Sequence, residues 1–253
     1  MSIAIRSSKE IALLRKANQI VAGALDLAQE EIRVGMTSLE LDRKIEDYIF
    51  SCGAKPAFKG LYGFPNATCI SVNEVIIHGI PSQRKFESGD IVGVDIGTNF
   101  NGWFGDGART FKVGEVSEAD SKITDAAKEV LDIAVSEIRV GMHFKQLSEI
   151  LERETRQRGY VPLKDYCGHG IGRKPHEEPN ILNYVVGKPK QGPKIKNGMV
   201  FCVEPMLCQK DGDFIILEDN WAVVSKDGLS GSHFEYAVAI IDGVADILTL
   251  KGC

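Results

Sequence analysis

The sequence lacks the cysteine patterns that mark secreted proteins and zinc-stabilised modules. It has six cysteines in 253 residues, and no two of them form a C-x-x-C pair. A disulfide framework needs dense, regularly spaced cysteines, so we interpret these residues as reduced and mostly buried thiols. This pattern predicts a cytoplasmic protein.

Long hydrophobic runs are also missing. Charged side chains interrupt the apolar positions of residues 1–28, so neither a signal peptide nor a membrane span is predicted there. No charge of one sign dominates, because 35 acidic and 30 basic residues leave a net charge of −5. This balance gives no reason to expect a nucleic acid or a membrane as partner.

Sequence motifs of several enzyme classes are absent too. The chain contains no G-x-x-x-x-G-K-[ST] phosphate loop, no H-E-x-x-H zinc helix and no serine-hydrolase elbow. The glycine-rich segment 168–172 lacks the G-x-G-x-x-G spacing of dinucleotide-binding proteins. The chemistry must therefore come from another set of residues.

An internal duplication is present. Residues 32–36, Ile-Arg-Val-Gly-Met, recur letter for letter at 138–142. Capping boxes and helical periodicity predict two equivalent pairs of helices, at 8–29 and 37–52, then at 118–137 and 144–158. Residues 53–66 and 170–198 are rich in glycine and proline and are predicted to be loops. We expect one domain of residues 1–253, made of two pseudo-symmetric halves at about 1–110 and 111–253.

Four carboxylates occur on apolar strands, two in each half. They are Asp95, Asp106, Glu204 and Glu235. Burying an ionised carboxylate is costly unless a positive charge compensates it, and the sequence offers no matching set of arginines or lysines nearby. Equivalent strand ends of two related halves should meet at the centre of the molecule. The economical partners are therefore multivalent cations.

Histidines supply candidate nitrogen ligands beside these oxygens. His169 lies between glycines, His78 has a similar local sequence, and His176 is a third candidate. A lone histidine beside glycines is more often structural than a ligand, so that alternative stays open. Four carboxylates and one imidazole suit Co, Mn, Fe, Zn or Mg. Two such ions held close together are the arrangement of hydrolases.

Several longer segments resemble one known family, the type I methionine aminopeptidases of the creatinase, or pita-bread, fold in peptidase family M24. They are residues 73–81, the Asp95 to Asp106 spacing, and residues 166–172, 176–179, 203–206, 219–221 and 234–235. The resemblance spans nearly the whole chain. It implies an α+β fold with antiparallel sheet, and helices on its outer face.

The resemblance also implies roles for individual residues. Asp95 and Glu235 would bind the first ion, His169 and Glu204 the second, and Asp106 and Glu235 would bridge the two. Glu204 would accept and deliver the proton of the attacking water, His176 would hydrogen-bond the scissile amide oxygen, and His78 would contact the residue after methionine. The methionine side chain would be enclosed by Phe64, Cys69 and Trp221.

The chain departs from the family pattern at Leu61, Pro175 and Tyr236-Ala237, so the resemblance does not define the shape of the pocket. The expected substrate is the N-terminus of a nascent polypeptide with a small, uncharged second residue, processed by a monomer. A lysine-rich loop at 188–196 is predicted to be solvated rather than to contact the ribosome. The alternatives are an Xaa-Pro aminopeptidase or prolidase-like enzyme, and a non-catalytic binding protein of the same fold.

Overall fold

The computed structural model describes residues 3–250, and its four α-helices lie where the sequence predicts them. They are α1 (Ser8–Glu31), α2 (Ser38–Ser51), α3 (Glu118–Ser136) and α4 (Phe144–Gln157). Ser7 and Thr37 each form the predicted capping box, with Glu10 and Glu40 respectively. These reciprocal hydrogen bonds satisfy free backbone N–H groups and fix where α1 and α2 begin.

Short strands make up the rest of the regular structure. The first half has β1 (Lys55–Pro56), β2 (Thr68–Val72), β3 (Val75–Ile77), β4 (Ile91–Phe100) and β5 (Trp103–Lys112), with a 3₁₀ turn at Leu61–Gly63. The second half has β6 (Val161–Pro162), β7 (Cys167–Gly170), β8 (Glu177–Leu182), β9 (Val200–Val203), β10 (Met206–Cys208), β11 (Phe214–Ile216), β12 (Val223–Ser225), β13 (Ser232–His233), β14 (Tyr236–Ile241) and β15 (Val244–Ile247).

The strands pair antiparallel in two larger and two smaller sheets. The β4–β5 hairpin is joined by β1 and β2 in the first larger sheet, and the second has the order β15-β14-β9-β7-β8. The smaller sheets have the orders β13-β10-β6 and β11-β12-β3. Antiparallel sheets combined with separate helices make the fold α+β, as predicted.

In the first half, the alternation along β4 decides which side chains face the helices. Val92, Val94 and Ile96 pack in one core with residues of α1 and α2, such as Leu25 and Leu41. Successive strand residues point to opposite faces, so residue 95 lies on the face away from these helices.

The second half repeats this arrangement. Phe201, Val203 and Val238 pack in a core with residues of α3 and α4, such as Leu131 and Leu147. By the same alternation, positions 204 and 235 lie on the face away from the helices. In both halves, the helices therefore cover the outer face and leave the predicted carboxylates inside.

Helix α1 ties the two halves together. Its Ile11 and Leu14 pack in one cluster with Ala237 and Ala239 of β14. Further along, α1 lies so close to β5 that a Cβ on Gly105 would be 2.7 Å from the carbonyl carbon of Ala17. A shared core of this kind is typical of a single domain. That this domain consists of two pseudo-symmetric halves stays a prediction.

Both loop predictions are wrong in part. Residues 53–66 contain strand β1, which pairs with β4. Residues 170–198 contain strand β8, which pairs with β7 through Gly168 and Ile181. Pro179 lies within β8, and a proline in a run of residues argues against a strand when only the sequence is considered. Within residues 3–250, no helix combines the length and apolar character that crossing a membrane requires.

Candidate metal centre and substrate cavity

The β4–β5 hairpin brings Asp95 and Asp106 together. In its register Asp95 is opposite Ala108 and Asp106 is opposite Gly97, so the two carboxylates are diagonal neighbours on one face of the sheet. The backbone N–H of Asp106 also donates to the side chain of Asn18 on α1, at 3.1 Å. The strand ladder and the helix together fix this residue.

The second pair of carboxylates comes from the β9–β14 ladder. Val203 pairs with Tyr236 at the end of that ladder, and its register places the next residues, Glu204 and Glu235, opposite each other. The backbone N–H of Glu235 donates to the carbonyl oxygen of Ala108 on β5, at 2.9 Å. This bond joins the two sheets where the carboxylates of both halves meet.

His169 on β7 points at the same place. Its Nε2 atom lies 3.4 Å from Oε1 of Glu204 and 3.9 Å from Oδ2 of Asp106. Its Nδ1 atom lies 3.1 Å from the carbonyl oxygen of Gly170, which can only accept, so Nδ1 carries the proton. The Nε2 lone pair is left facing the carboxylates, which is the tautomer of a metal-binding histidine.

The polar atoms of this cluster are buried and incompletely paired. Within residues 3–250, Oδ1 of Asp95, Oε1 of Glu204 and Oε1 of Glu235 have no hydrogen-bond partner. Burial, opposed by hydrogen bonds, raises the pKa of Asp95 to about 7. Burial, reinforced by the neighbouring carboxylates, holds the pKa values of Asp106, Glu204 and Glu235 well above their usual range. Buried acids with raised pKa values ionise only when a positive charge nearby compensates them.

Divalent cations fit this donor set. Ligand atoms of Asp106, His169 and Glu235, with the thiol of Cys202, lie within 4.8 Å of one another, and Asp95 adjoins them through a hydrogen bond to Asp106. Burial, with the nearby imidazole of His176, lowers the pKa of His169 to about 3, so the His169 imidazole is neutral and free to ligate. Mostly oxygen donors with one nitrogen suit the predicted ions.

An apolar pocket adjoins the carboxylates in a cavity of about 330 Å³. Phe64, Cys69 and Trp221 line it as predicted, and the rings of Phe64 and Trp221 meet edge to face with centroids 5.0 Å apart. Cys69 lies directly opposite Asp95 in the β2–β4 ladder. A side chain held in this pocket would therefore end beside the metal ligands.

The two remaining predicted histidines line the same cavity. His78 follows β3 in a left-handed conformation, with a φ of 58°, and burial lowers its pKa to about 4. Burial also lowers the pKa of His176, whose ring is 4.5 Å from that of His169. Both imidazoles are therefore neutral near pH 7, and each offers one donor and one acceptor.

His233 lines the cavity and was not predicted from the sequence. His233 is buried, and its Nε2 atom lies 3.8 Å from Oε2 of Glu204 without a hydrogen-bond partner among residues 3–250. Its backbone is held on both sides by the hydroxyl of Thr110, at 2.8 and 3.1 Å. The available signal was its position two residues before Glu235, which places both side chains on one face of an extended strand.

The departures from the family pattern lie in different places. Leu61 lines the cavity, whereas Pro175 is half-buried beside it. The hydroxyl of Tyr236 donates to Asp132 at 3.1 Å, on the side of the sheet that faces the helices. Ala237 packs against α1. Only Leu61 of these residues therefore touches the space that a substrate would fill.

Comparisons with known proteins agree with this geometry. The model of metallopeptidase family M24 matches residues 12–241. The methionine aminopeptidase of Helicobacter pylori is 55% identical over 251 residues, which cover 98% of this chain and 99% of that relative. Methionine aminopeptidase 1 of Bacillus subtilis is 37% identical over 247 residues, with 98% and 99% covered.

Solved structures show the same likeness. The crystal structure of methionine aminopeptidase from Thermotoga maritima has a TM-score of 0.96 at 36% identity, covering 99% of this chain and all of that one. The prolidase from Pyrococcus furiosus has a TM-score of 0.80 at 29% identity, covering 98% of this chain but 66% of the prolidase. The fold is thus shared by two kinds of peptidase.

Proposed function

Because the chain belongs to metallopeptidase family M24, we propose that it is a dimetal aminopeptidase that removes the N-terminal methionine of new polypeptides. One observation carries this proposal. Carboxylates from both halves and the imidazole of His169 meet at the end of an apolar pocket, within one cavity. Similarity to the methionine aminopeptidase of Helicobacter pylori over nearly the whole chain supports the same activity.

The proposed ligands of two divalent ions are Asp95, Asp106, His169, Glu204 and Glu235. Such ions, when bound, would supply a nucleophilic water and polarise the substrate carbonyl. Asp106 and Glu235 are the proposed bridges, as the resemblance to the family implies, and their ligand atoms lie in one cluster. The candidate ions are Co, Mn, Fe, Zn and Mg.

Glu204 is the proposed proton acceptor and donor. Its Oε1 atom is buried without a hydrogen-bond partner among the described residues and faces the cavity beside His169. A carboxylate in that position can take a proton from the attacking water and deliver it to the leaving amine. Ionisation of Glu204 depends on the compensating positive charge, since burial alone keeps its pKa well above the usual range.

His176 and His78 are the proposed contacts to the scissile peptide. A neutral imidazole at His176 can donate an N–H to the carbonyl oxygen as negative charge develops there. His78 would hydrogen-bond the backbone of the second residue. Phe64, Cys69 and Trp221 would enclose the methionine side chain, whose flexible thioether suits an aromatic and thiol lining.

The proposed setting is the cytoplasm, where a monomer would act on nascent chains with a small, uncharged second residue. Transient ribosome contact is the less favoured part of this proposal. The lysines at 188, 190, 194 and 196 are all exposed, which suits a solvated loop. If replacing the four lysines with glutamate abolished ribosome association, a docking role for this loop would be favoured.

A panel of peptides tests the proposed activity. The metal-loaded protein should release methionine from Met-Ala-Ser, and replacing alanine with leucine should lower kcat/KM at least about tenfold. Cleavage of Xaa-Pro peptides alone would favour the prolidase-like alternative. Binding of a methionyl peptide without turnover, with each single metal restored in turn, would favour the non-catalytic one.

A further inference from the structure

Tyr62 has a combination of features that the proposed chemistry does not explain. The residue is 79% exposed to solvent, although it carries a large aromatic group. Its backbone is left-handed, with a φ of 50° and a ψ of 19°, which is unusual for a bulky residue. Strained conformations of this kind persist where the surrounding structure holds them, and they cluster at functional sites.

Backbone hydrogen bonds hold the loop around Tyr62. The backbone N–H of Gly60 donates to the carbonyl oxygen of Phe64 at 2.8 Å, and that of Phe64 donates to Leu61 at 2.9 Å. Gly60 and Gly63 also have positive φ values, of 85° and 90°. Tyr62 therefore stands at the tip of a tight turn whose backbone is held by hydrogen bonds.

The ring of Tyr62 lies beside that of His176. The two rings are stacked with an angle of 11° between their planes and centroids 6.4 Å apart. Tyr62 also lines the cavity, together with His176. The exposed aromatic side chain thus lies against the imidazole that is proposed to meet the scissile bond.

His176 has few other means of orientation. Among residues 3–250 its imidazole makes no hydrogen bond, and its other ring contact is the edge-to-face approach to His169. Its backbone is better fixed, because Glu177 pairs with Arg6 and accepts the backbone N–H of Arg173 at 2.8 Å. The ring can still rotate about its side-chain bonds, and the Tyr62 ring is the second aromatic group beside it.

We propose that Tyr62 is a positioning residue, whose ring holds the imidazole of His176 in the orientation that the reaction needs. Misplacement of a reacting group by about 1 Å can cost two orders of magnitude in rate, so a loose His176 should lower kcat more than it raises KM. The stacked ring supplies this effect and the phenolic hydroxyl does not. This inference rests on the proposed aminopeptidase function.

The test compares Tyr62→Ala, Tyr62→Phe and Asp242→Ala in the metal-loaded full chain with Met-Ala-Ser. Asp242 is the matched control, because it is also an exposed left-handed residue, with a φ of 49°, but lies in the β14–β15 turn outside the cavity. We expect Tyr62→Ala to lower kcat about tenfold with little change in KM or metal content. Tyr62→Phe and Asp242→Ala should match the wild type.

A double-mutant cycle separates positioning from a merely structural role. In a His176→Ala background, Tyr62→Ala should change kcat less than about twofold, because a residue that acts through His176 has nothing left to position. Equal effects in both backgrounds, or failure of Tyr62→Phe to restore kcat, would overturn the proposal. If the wild type itself releases no methionine, the proposed function fails instead.

Discussion

At the scale of single residues, the carboxylates differ in how many ions each of them would hold. Asp106 is reached by His169 at 3.9 Å and adjoins both Asp95 and Glu235. Removing the charge of Asp106 should therefore weaken the binding of both ions, since a bridging ligand contacts two ions. We predict that Asp106→Asn lowers bound metal, measured by mass spectrometry after dialysis, and lowers kcat/KM at least about 100-fold.

Two further variants make this prediction specific. Asp125→Asn removes an exposed carboxylate that pairs with Lys112 on the outer surface, and it should leave metal content unchanged. His176→Ala should also keep the metals, because its ring lies beside the ligands without being one, yet lower kcat by about 10²–10³. Full metal content in Asp106→Asn, or metal loss in His176→Ala, would show that these roles are assigned wrongly.

The sequence could predict the carboxylates but not every residue around them. An acidic residue at the end of an apolar strand stands out, because its burial needs an explanation. Asn18 carries no such signal. It is a helix residue that reaches the backbone of Asp106 only because α1 crosses the β4–β5 hairpin. His233 was missed despite its position two residues before Glu235, because its contact with Glu204 joins segments that are distant in sequence.

At the scale of elements, the packing of α1 depends on its close approach to β5. Helix α1 lies against β5 at Gly105, where an added Cβ would be 2.7 Å from backbone of Ala17. Backbone cannot move aside as a flexible side chain can. We predict that Gly105→Ala destabilises the protein by about 1–3 kcal/mol, measured by urea unfolding, and weakens metal retention through the neighbouring Asp106.

A second glycine provides the control for this prediction. Gly93 lies on β4 of the same sheet, and a Cβ there would meet its nearest atoms at 3.6 Å, an ordinary contact. Gly93→Ala should therefore leave stability within about 0.5 kcal/mol of the wild type. If both variants lose the same stability, the tight packing of α1 is not the cause.

Elements differed in how well the sequence predicted them. The boundaries of α1 and α2 could be predicted because their capping boxes are local, with both partners three residues apart. Strand β8 could not, because its pairing with β7 outweighs the poor strand character of Pro179. Helix boundaries set by local sequence can be predicted, whereas strand pairing depends on the tertiary structure.

At the scale of the whole molecule, the way the helices cover the two larger sheets explains why the carboxylates meet. Each half covers the outer face of its sheet with two helices, so the inner faces must close on each other. The sequence repeat predicted this closure. It did not predict that α1 would pack against β14 of the other half, because Ile11 and Leu14 have no sequence signal for that partner.

A cluster of buried acids makes the stability of the whole chain depend on metal and pH. Because burial raises the pKa of Asp95 from 3.8 to about 7, the metal-free fold binds a proton that the unfolded chain releases between these pH values. The free energy of unfolding therefore falls as pH rises. The metal-free protein should lose stability from about pH 4 to pH 7.

Divalent ions should reverse this trend, since they bind the ionised carboxylates and release their protons. An ion present at about 100 times its Kd stabilises a protein by about 2.7 kcal/mol, which for a chain of this length corresponds to a rise in Tm of about 5–10 °C. We predict that calorimetry of metal-stripped protein, with single ions restored, gives a larger rise at pH 7.5 than at pH 5. Equal rises at both pH values would mean that ion binding is not coupled to these carboxylates, and that the cluster is neutralised in another way.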